Sequence, residues 1–438
     1  MKPNIFLILL DSLRADTIFG EHKSCKTPNI DQLISHGTSF TNAFSSADHT
    51  GVSWLSIIRG IFPLKNNINP YKFDSKFETF IEIFKENNFK TFCFFPDISF
   101  FKILAEKFDN SILYEYSNRD EYTKRKNDRI NELIRQIKNQ NSGHSNLTCI
   151  HLMDLKYPYV IPTEFDNNNF GKNRQDRMLS YLDKMLGEII NSINPKNSII
   201  VFSSDHGDYI PITGHDIDEI PRIQKIFRKG KQTFPSLEPV GSEVFKFLKQ
   251  SAKKVNTIKD KKNFSSLEQR GFLNRNESFL FDDTLNVPLI FLGNKVKNQK
   301  ISALVRHIDI FPTICKFLDL TFDESKYDGK NILVSSFSNQ NDLIAYFESG
   351  PANENLKGKV IGIRTAKFKY FRSRTNKTEN PHLYNLSDDQ YEEHNIAETM
   401  PELVSFLENE LSKLGDTKNE KNELKRMINK KISKLKLD

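Results

Sequence analysis

The sequence predicts an α/β protein: a doubly wound, mostly parallel sheet flanked by helices, with a smaller C-terminal α+β subdomain. Three observations lead there. Short apolar runs recur without alternation, as strands buried on both faces do. Helical patterns separate them, the order that builds an open sheet with helices on both sides. Beyond about Asn341 the texture changes to short runs bounded by turn residues, which read as antiparallel strands.

The predicted parallel strands are Asn4–Leu10, Lys90–Phe95, Asn146–Met153, Ser198–Ser203 and Val287–Leu292. The clearest helix is Arg177–Ile193, which puts Met178, Leu182, Met185, Leu186, Ile189, Ile190 and Ile193 on one face. The apolar run Val52–Ile58 predicts a further helix with Thr50 near its start. In the C-terminal part, Leu343–Glu348, Val360–Phe371 and Leu383–Leu386 read as strands, and Pro401–Leu414 as a helix. Three of the first strands end in acids, at Asp11, Asp154 and Asp205. Ligands of such sheets bind beyond the C-terminal strand ends, so these acids mark one site.

The 438 residues are enough for one large domain and a smaller one, and 37% hydrophobic against 27% charged residues is globular. A formal charge of +7 suits anionic partners. No segment approaches transmembrane length, and Asn4–Leu10 is a strand rather than the apolar part of a secretion signal. Cys25, Cys93, Cys149 and Cys315 are scattered, two of them inside strand-like runs. They read as buried thiols in a reducing compartment, hence a cytoplasmic protein.

The chemistry-bearing motifs are Asp11-Ser12-Leu13-Arg14-Ala15-Asp16, then Asp48-His49-Thr50-Gly51-Val52-Ser53-Trp54, then Gly60 and Pro63, and Asp205-His206-Gly207-Asp208. This series resembles the sulfatase family of the alkaline phosphatase superfamily. That family's signature is Cys or Ser followed by x-Pro-Ser-Arg and later Thr-Gly-x-x-Pro. Ser53, Gly60 and Pro63 keep register, while Val52 replaces the signature Pro, Trp54 its Arg and Arg59 its Thr. Further likeness lies in His151-Leu152-Met153-Asp154-Leu155-Lys156-Tyr157-Pro158-Tyr159, in His307-Ile308-Asp309-Ile310-Phe311-Pro312-Thr313, and in the C-terminal run around Arg364-Thr365 and Leu383-Tyr384-Asn385-Leu386.

The resemblance implies a sulfatase-like catalytic domain over 1–335 and a C-terminal subdomain over 336–415, while the Lys-rich stretch 416–438 reads as a solvated tail rather than a binding arm. Residues 216–278 exceed the family spacing and are rich in Lys and Arg. They read as a lid or specificity element, or as a surface elaboration.

The resemblance also implies a metal set of Asp11, Thr50, Asp205 and His206, with Thr50 as both ligand and nucleophile. His is a poor calcium ligand, and Ser12 stands where calcium-binding sulfatases have a second Asp. One Mn²⁺ or Zn²⁺ is therefore favoured, with Ca²⁺ or Mg²⁺ as alternatives. The same single-metal pattern occurs in the superfamily's membrane-glycolipid phosphotransferases.

Lys156, Arg14 and His49 are expected to bind substrate, and His215 to bind it or protonate the leaving group. His307 belongs to a structural motif that opens a helix.

Sulfatases oxidise the signature Cys or Ser to formylglycine. Threonine cannot give that aldehyde, because its Cβ carries a methyl group. The expectation is a metal-dependent hydrolase or transferase acting on phosphoesters, phosphonates or sulfate esters through Thr50. The alternatives are a sulfuric ester hydrolase without formylglycine and a catalytically inactive anion-binding protein. The expected partner is an anionic ester, on a glycan or a lipid-linked group, and no nucleic acid is expected.

Overall fold

The computed structural model describes residues 2–21, 23–66, 70–71, 73, 77–116, 126–140, 143–156, 159–210, 270, 279–334, 343–351 and 358–415. The strands of the main sheet are β1 (Asn4–Leu10), β2 (Thr38–Phe44), β3 (Phe89–Pro96), β4 (Asn110–Tyr114), β5 (Ser145–Leu152), β6 (Ser198–Ser204), β7 (Asn286–Gly293), β8 (Gln299–Ile301) and β9 (Val305–Arg306). Their order is β4-β3-β5-β1-β6-β7-β2-β8, with β9 also paired to β2. The run from β4 to β6 is parallel throughout.

β7 departs from expectation. It carries the predicted Val287–Leu292 run but lies antiparallel to both β6 and β2. A strand buried on both faces reads as the same apolar run in either direction, so periodicity does not give its sense. Strands β2, β4, β8 and β9 have no counterpart among the predicted runs. Three of the four are short or carry exposed positions, and β2 (Thr-Ser-Phe-Thr-Asn-Ala-Phe) has too few apolar residues to register as a buried run.

Alternate residues of β1 face opposite sides, and each side is covered. On one side lie α1 (Pro28–His36) and α4 (Arg174–Ser192), and on the other α2 (Thr50–Arg59), α3 (Phe80–Glu86) and α5 (Ile310–Phe317). Ile5, Leu7 and Leu9 join the core under α2, α3 and α5. Phe6, Ile8 and Leu10 pack with Met178, Leu182, Met185, Leu186 and Ile189 of α4. The apolar stripe predicted for α4 is therefore the stripe that is buried. Its start lies three residues earlier than expected because Asn173 caps it, accepting from the Asp176 N–H at 2.8 Å.

The smaller sheet runs β10 (Ala345–Glu348), β11 (Val360–Arg364), β12 (Phe368–Ser373) and β13 (His382–Asn385), antiparallel throughout. The predicted single strand Val360–Phe371 is a hairpin, broken where the Thr365 hydroxyl accepts from the Lys367 and Phe368 N–H groups. α6 (Pro401–Ser412) packs Leu403, Leu407 and Leu411 onto this sheet through Ile363, Phe368, Tyr370 and Leu383.

The two sheets meet at the loop before α2. Ala47 bridges Glu348, the Glu348 N–H donates to Ser46 O at 3.0 Å, and the Gly350 N–H donates to Asp48 Oδ1 at 2.6 Å. A Cβ on Gly350 would stand 2.1 Å from the His49 Cβ, so the approach is too close for any other residue.

Candidate active site

The site lies over the C-terminal ends of three adjacent parallel strands. β1 leads into Asp11, β6 leads into Asp205-His206, and β5 contributes His151, which pairs in register with Leu9. Asp11, His151, Asp205 and His206 are fully buried and Thr50 is 8% exposed. Backbone strain marks the place: Ser12, directly after β1, has φ 66°, rare for a non-glycine residue. Its N–H donates to Asp205 Oδ1 at 3.2 Å and its hydroxyl to Asp11 Oδ1 at 2.5 Å. Ser12 thus ties the two acids to each other.

Thr50 is the first residue of α2, which His49 caps by accepting the Gly51 N–H on Nδ1 at 3.2 Å. The helix ends at Gly60, whose φ of 61° and N–H donation to Ser56 O and Ile57 O form a left-handed cap. Ser53 is part of the framework. Its hydroxyl bonds Ala47 O at 3.0 Å and Ser45 Oγ at 2.8 Å, and Ser45 Oγ donates to Asp205 O at 2.7 Å. The helix that carries Thr50 and the end of β6 are thereby held in one hydrogen-bonded unit.

Four atoms form a chain of contacts. Thr50 Oγ1 lies 3.2 Å from Asp11 Oδ2 and 3.3 Å from His206 Nε2, and His206 Nε2 lies 3.4 Å from Asp205 Oδ2. In a tetrahedral metal site with N or O ligands at about 2.0–2.1 Å, neighbouring ligands stand about 3.3–3.4 Å apart.

Two further features fit a cation. Asp205 Oδ2 is buried without a hydrogen-bond partner. His206 Nδ1 stands 2.8 Å from Gly207 O, so Nδ1 carries the proton and Nε2 presents its lone pair to the site. The residues present therefore suit one divalent ion, held by Asp11, Thr50, Asp205 and His206. Bound there, it would lower the pKa of the Thr50 hydroxyl and offset negative charge.

The electrostatics agree. Burial pushes Asp205 up, and the charge of Asp11 adds to it, to about 6. Burial also acts to raise Asp11, but Lys156, His151 and His206 outweigh it and hold that carboxyl well below the ordinary range. Two buried carboxylates of which only one ionises freely are what a cation between them would relieve.

The remaining predicted residues take other places. Lys156 directs its charge at Asp11. His49 is the cap of α2 and also meets the Tyr71 hydroxyl at 3.2 Å through Nε2. Arg14 is buried and spent on Asp16 and Asp283, at 2.5 and 2.8 Å, which places it in the support of the β6–β7 corner. His215 and the segment 216–278 lie outside the described residues, apart from Arg270. That guanidinium meets Asp283 at 3.3 Å and covers the Phe281 ring at 3.8 Å.

Asp154 is held by Arg129 at 2.8 and 3.0 Å, so the group that β5 supplies is His151 instead. The sequence shows His151 as part of a motif without placing it in the site. Its position three residues before the acid, inside an apolar strand, gives no separate signal. His307 is fully buried in the 3₁₀ turn that leads into α5, the structural place expected for it.

This fold and this site define a hydrolase acting on sulfate or phosphate esters, of the alkaline phosphatase superfamily. A sequence-family model described as Sulfatase matches residues 3–320, and the chain belongs to that family. Among curated proteins it is similar to arylsulfatase K of Canis lupus familiaris, 22% identical over 93% of this chain and 82% of that protein. Among solved structures it is similar to the phosphonate monoester hydrolase of Agrobacterium radiobacter, with a TM-score of 0.66 at 15% identity, covering 94% of this chain and 95% of that one. It is also similar to a protein solved in complex with its substrate D-glucosamine-2-N,6-O-disulfate, with a TM-score of 0.64 at 15% identity over 95% and 99% of the two chains.

Proposed function

We propose that the chain is a one-metal ester hydrolase in which the unmodified Thr50 hydroxyl is the nucleophile. The observation that supports this reading best is the placement of Thr50 Oγ1, 3.2 Å from Asp11 Oδ2 and 3.3 Å from His206 Nε2 at the start of a buried helix. The Thr50 hydroxyl gives up its proton to solvent, and Oγ attacks phosphorus or sulfur in line. The new Oγ–P or Oγ–S bond forms as the bond to the leaving alkoxide breaks, and the alkoxide takes up a proton from solvent. Water, or an acceptor alcohol, then attacks the same centre and releases Thr50 with its proton restored. Lys156 adds positive charge beside Asp11. A bound divalent ion would supply Lewis-acid stabilisation of the transferring oxygens. We favour Mn²⁺ or Zn²⁺ because the set includes an imidazole.

Within the class, phosphodiesters and phosphonate monoesters are the substrates we favour over aryl sulfates. A formylglycine hydrate can expel sulfate by collapse of its gem-diol. A threonine sulfate ester has no such exit and needs a second attack at sulfur, whereas a threonine phosphoester is released by attack at phosphorus. A glycan-borne ester is the favoured natural form, by analogy with the solved neighbour that takes a glucosamine disulfate. Four free, buried cysteines support a reducing, cytoplasmic setting. Among the described residues no helix is long and apolar enough to cross a membrane.

The test is a panel of nitrophenyl sulfate, phosphate, phosphodiester and phosphonate on the metal-loaded enzyme and on Thr50→Ala and Thr50→Ser. We expect Thr50-dependent turnover led by the diester or phosphonate, lost in the Ala variant and partly kept in the Ser variant. Aryl sulfate rates well above the others would restore a sulfate-ester specificity. Undiminished turnover in Thr50→Ala would remove Thr50 as nucleophile.

A further inference from the structure

The two histidines of the site are locked in opposite tautomers. His206 donates from Nδ1 to Gly207 O, which leaves Nε2 as a lone-pair nitrogen. His151 is the reverse. Its Nδ1 stands 3.2 Å from Trp54 Nε1, and an indole N–H can only donate. Nδ1 of His151 is therefore the acceptor, and the proton of the neutral ring sits on Nε2. That Nε2 is buried without a hydrogen bond of normal geometry and stands 3.7 Å from Asp11 Oδ2 and 3.9 Å from Asp205 Oδ2.

Distance alone would make His151 a metal ligand, since Asp11, His151 and Asp205 offer ligand atoms within 4.8 Å of one another. The tautomer argues otherwise, because a ligating imidazole must present a lone pair. The ring is not free to exchange roles either. Trp54 is fully buried, edge-on to His151 at 5.7 Å and to Phe95 and Phe101 at 5.1 and 5.7 Å, and the Phe101 ring covers His151 at 4.9 Å.

We propose that Trp54 and His151 form an oxygen-directed donor: Trp54 is a positioning residue that holds His151 as the Nε2–H form, and His151 hydrogen-bonds an oxygen of the transferring group instead of joining the metal ligands. This rests on the reading that the site takes an anionic ester at Thr50. It gives the one Trp in the chain, at the place where the signature has Arg, a function of its own. Both carboxylate oxygens lie beyond hydrogen-bonding reach of Nε2, so its proton is available to an oxygen of a bound ligand. Trp54 carries no charge where an arginine would be cationic, which suits singly charged diesters, phosphonate monoesters and sulfate esters better than doubly charged phosphate monoesters.

The first test needs no variant and no turnover. In ¹⁵N-histidine-labelled protein, long-range ¹H–¹⁵N spectra should show His151 protonated on Nε2 and His206 protonated on Nδ1; His151 protonated on Nδ1 overturns the proposal. The second test reads metal content. His151→Gln should keep one metal ion per chain and His206→Gln should lose it. Equal loss in both makes His151 a ligand and overturns the proposal.

The third test uses inorganic phosphate as the probe, by calorimetry on the metal-loaded protein. His151→Ala should weaken binding about tenfold or more, and should lower kcat by about 100-fold, the loss expected for one donor aimed at developing charge. Trp54→Phe should lower kcat less while keeping the metal, and should let His151 adopt the other tautomer. Unchanged spectra and unchanged kcat in Trp54→Phe overturn the positioning role. Because the spectra, the metal content and phosphate binding are read without turnover, a failure of the Thr50 reading leaves them interpretable.

Discussion

Replacing Asp205 with Asn should have opposite effects on the protein with and without metal. In the chelated protein the change removes a charge that the fold does not tolerate well. Asp205 is pushed from 3.8 to about 6 by burial and by Asp11. A carboxyl raised in the fold contributes stability below its unfolded value of 3.8, and loses it as pH rises through about 6.

At pH 7 the ionised form therefore costs on the order of 3 kcal/mol, falling to about half of that by pH 5. The Asn side chain keeps what the carboxylate now holds, because Oδ1 still accepts from the Ser12 and His206 N–H groups, at 3.2 and 2.9 Å. Asp205→Asn should thus stabilise the chelated protein by up to about 3 kcal/mol at pH 7, and by less at pH 5.

Added Mn²⁺ or Zn²⁺ reverses the ranking. A ligand at a hundred times its Kd adds about 2.7 kcal/mol to the wild type and little to the variant. The assay is urea denaturation with chelator and with metal, at both pH values. A chelated variant less stable than chelated wild type, or equal metal stabilisation of both proteins, would refute the picture of two crowded carboxylates that share one cation.

Two further outcomes follow from buried charges elsewhere. Arg14→Met should cost about 3 kcal/mol by urea denaturation, the low end for breaking a buried ion pair, because Arg270 still reaches Asp283 at 3.3 Å. KM should barely change; a large rise in KM with intact stability would return Arg14 to the substrate. Burial holds His307 neutral and pushes it down to about 3, so it binds no proton in the fold until far below its unfolded value of 6.5. His307 should therefore remove about 2 kcal/mol of stability between pH 7 and pH 5, against the gain from Asp205 over the same range. A His307→Leu variant whose stability falls just as steeply over that range would show that the loss arises elsewhere.

The long apolar strands and the acids that follow them were legible because they rest on local chemistry. A run such as Asn4–Leu10 ending in Asp11 states both its burial and its acid, and Asp205-His206 repeats that form. What stayed hidden depended on partners distant in sequence. The sense of β7 is set by its neighbours β6 and β2, not by its own residues. Arg14 reads as a cation near the site, and only the fold shows Asp283 waiting for it across 269 positions. His151 is a histidine inside an apolar strand until Trp54, 97 positions earlier, is seen to take its Nδ1. Tautomers are set by such contacts, and no spacing rule carries them.

The junction between the two sheets also sets a clock. The loop that leads into Thr50 leaves the ribosome well before Gly350, whose N–H donates to Asp48 across 302 residues. At about 5–20 residues per second, that is about 15 to 60 s of synthesis. During this time β1 can exist and the helix that begins at Thr50 can form, while the loop that aims Thr50 has no closing partner. The growing chain thus carries Thr50 in an unfinished setting until residue 350 has been made. Chains arrested before residue 350 should hold the main-sheet strands made by then but fail to bind the ion tightly. Ordering of the Thr50 loop would then wait for the small C-terminal sheet, which would be its timer.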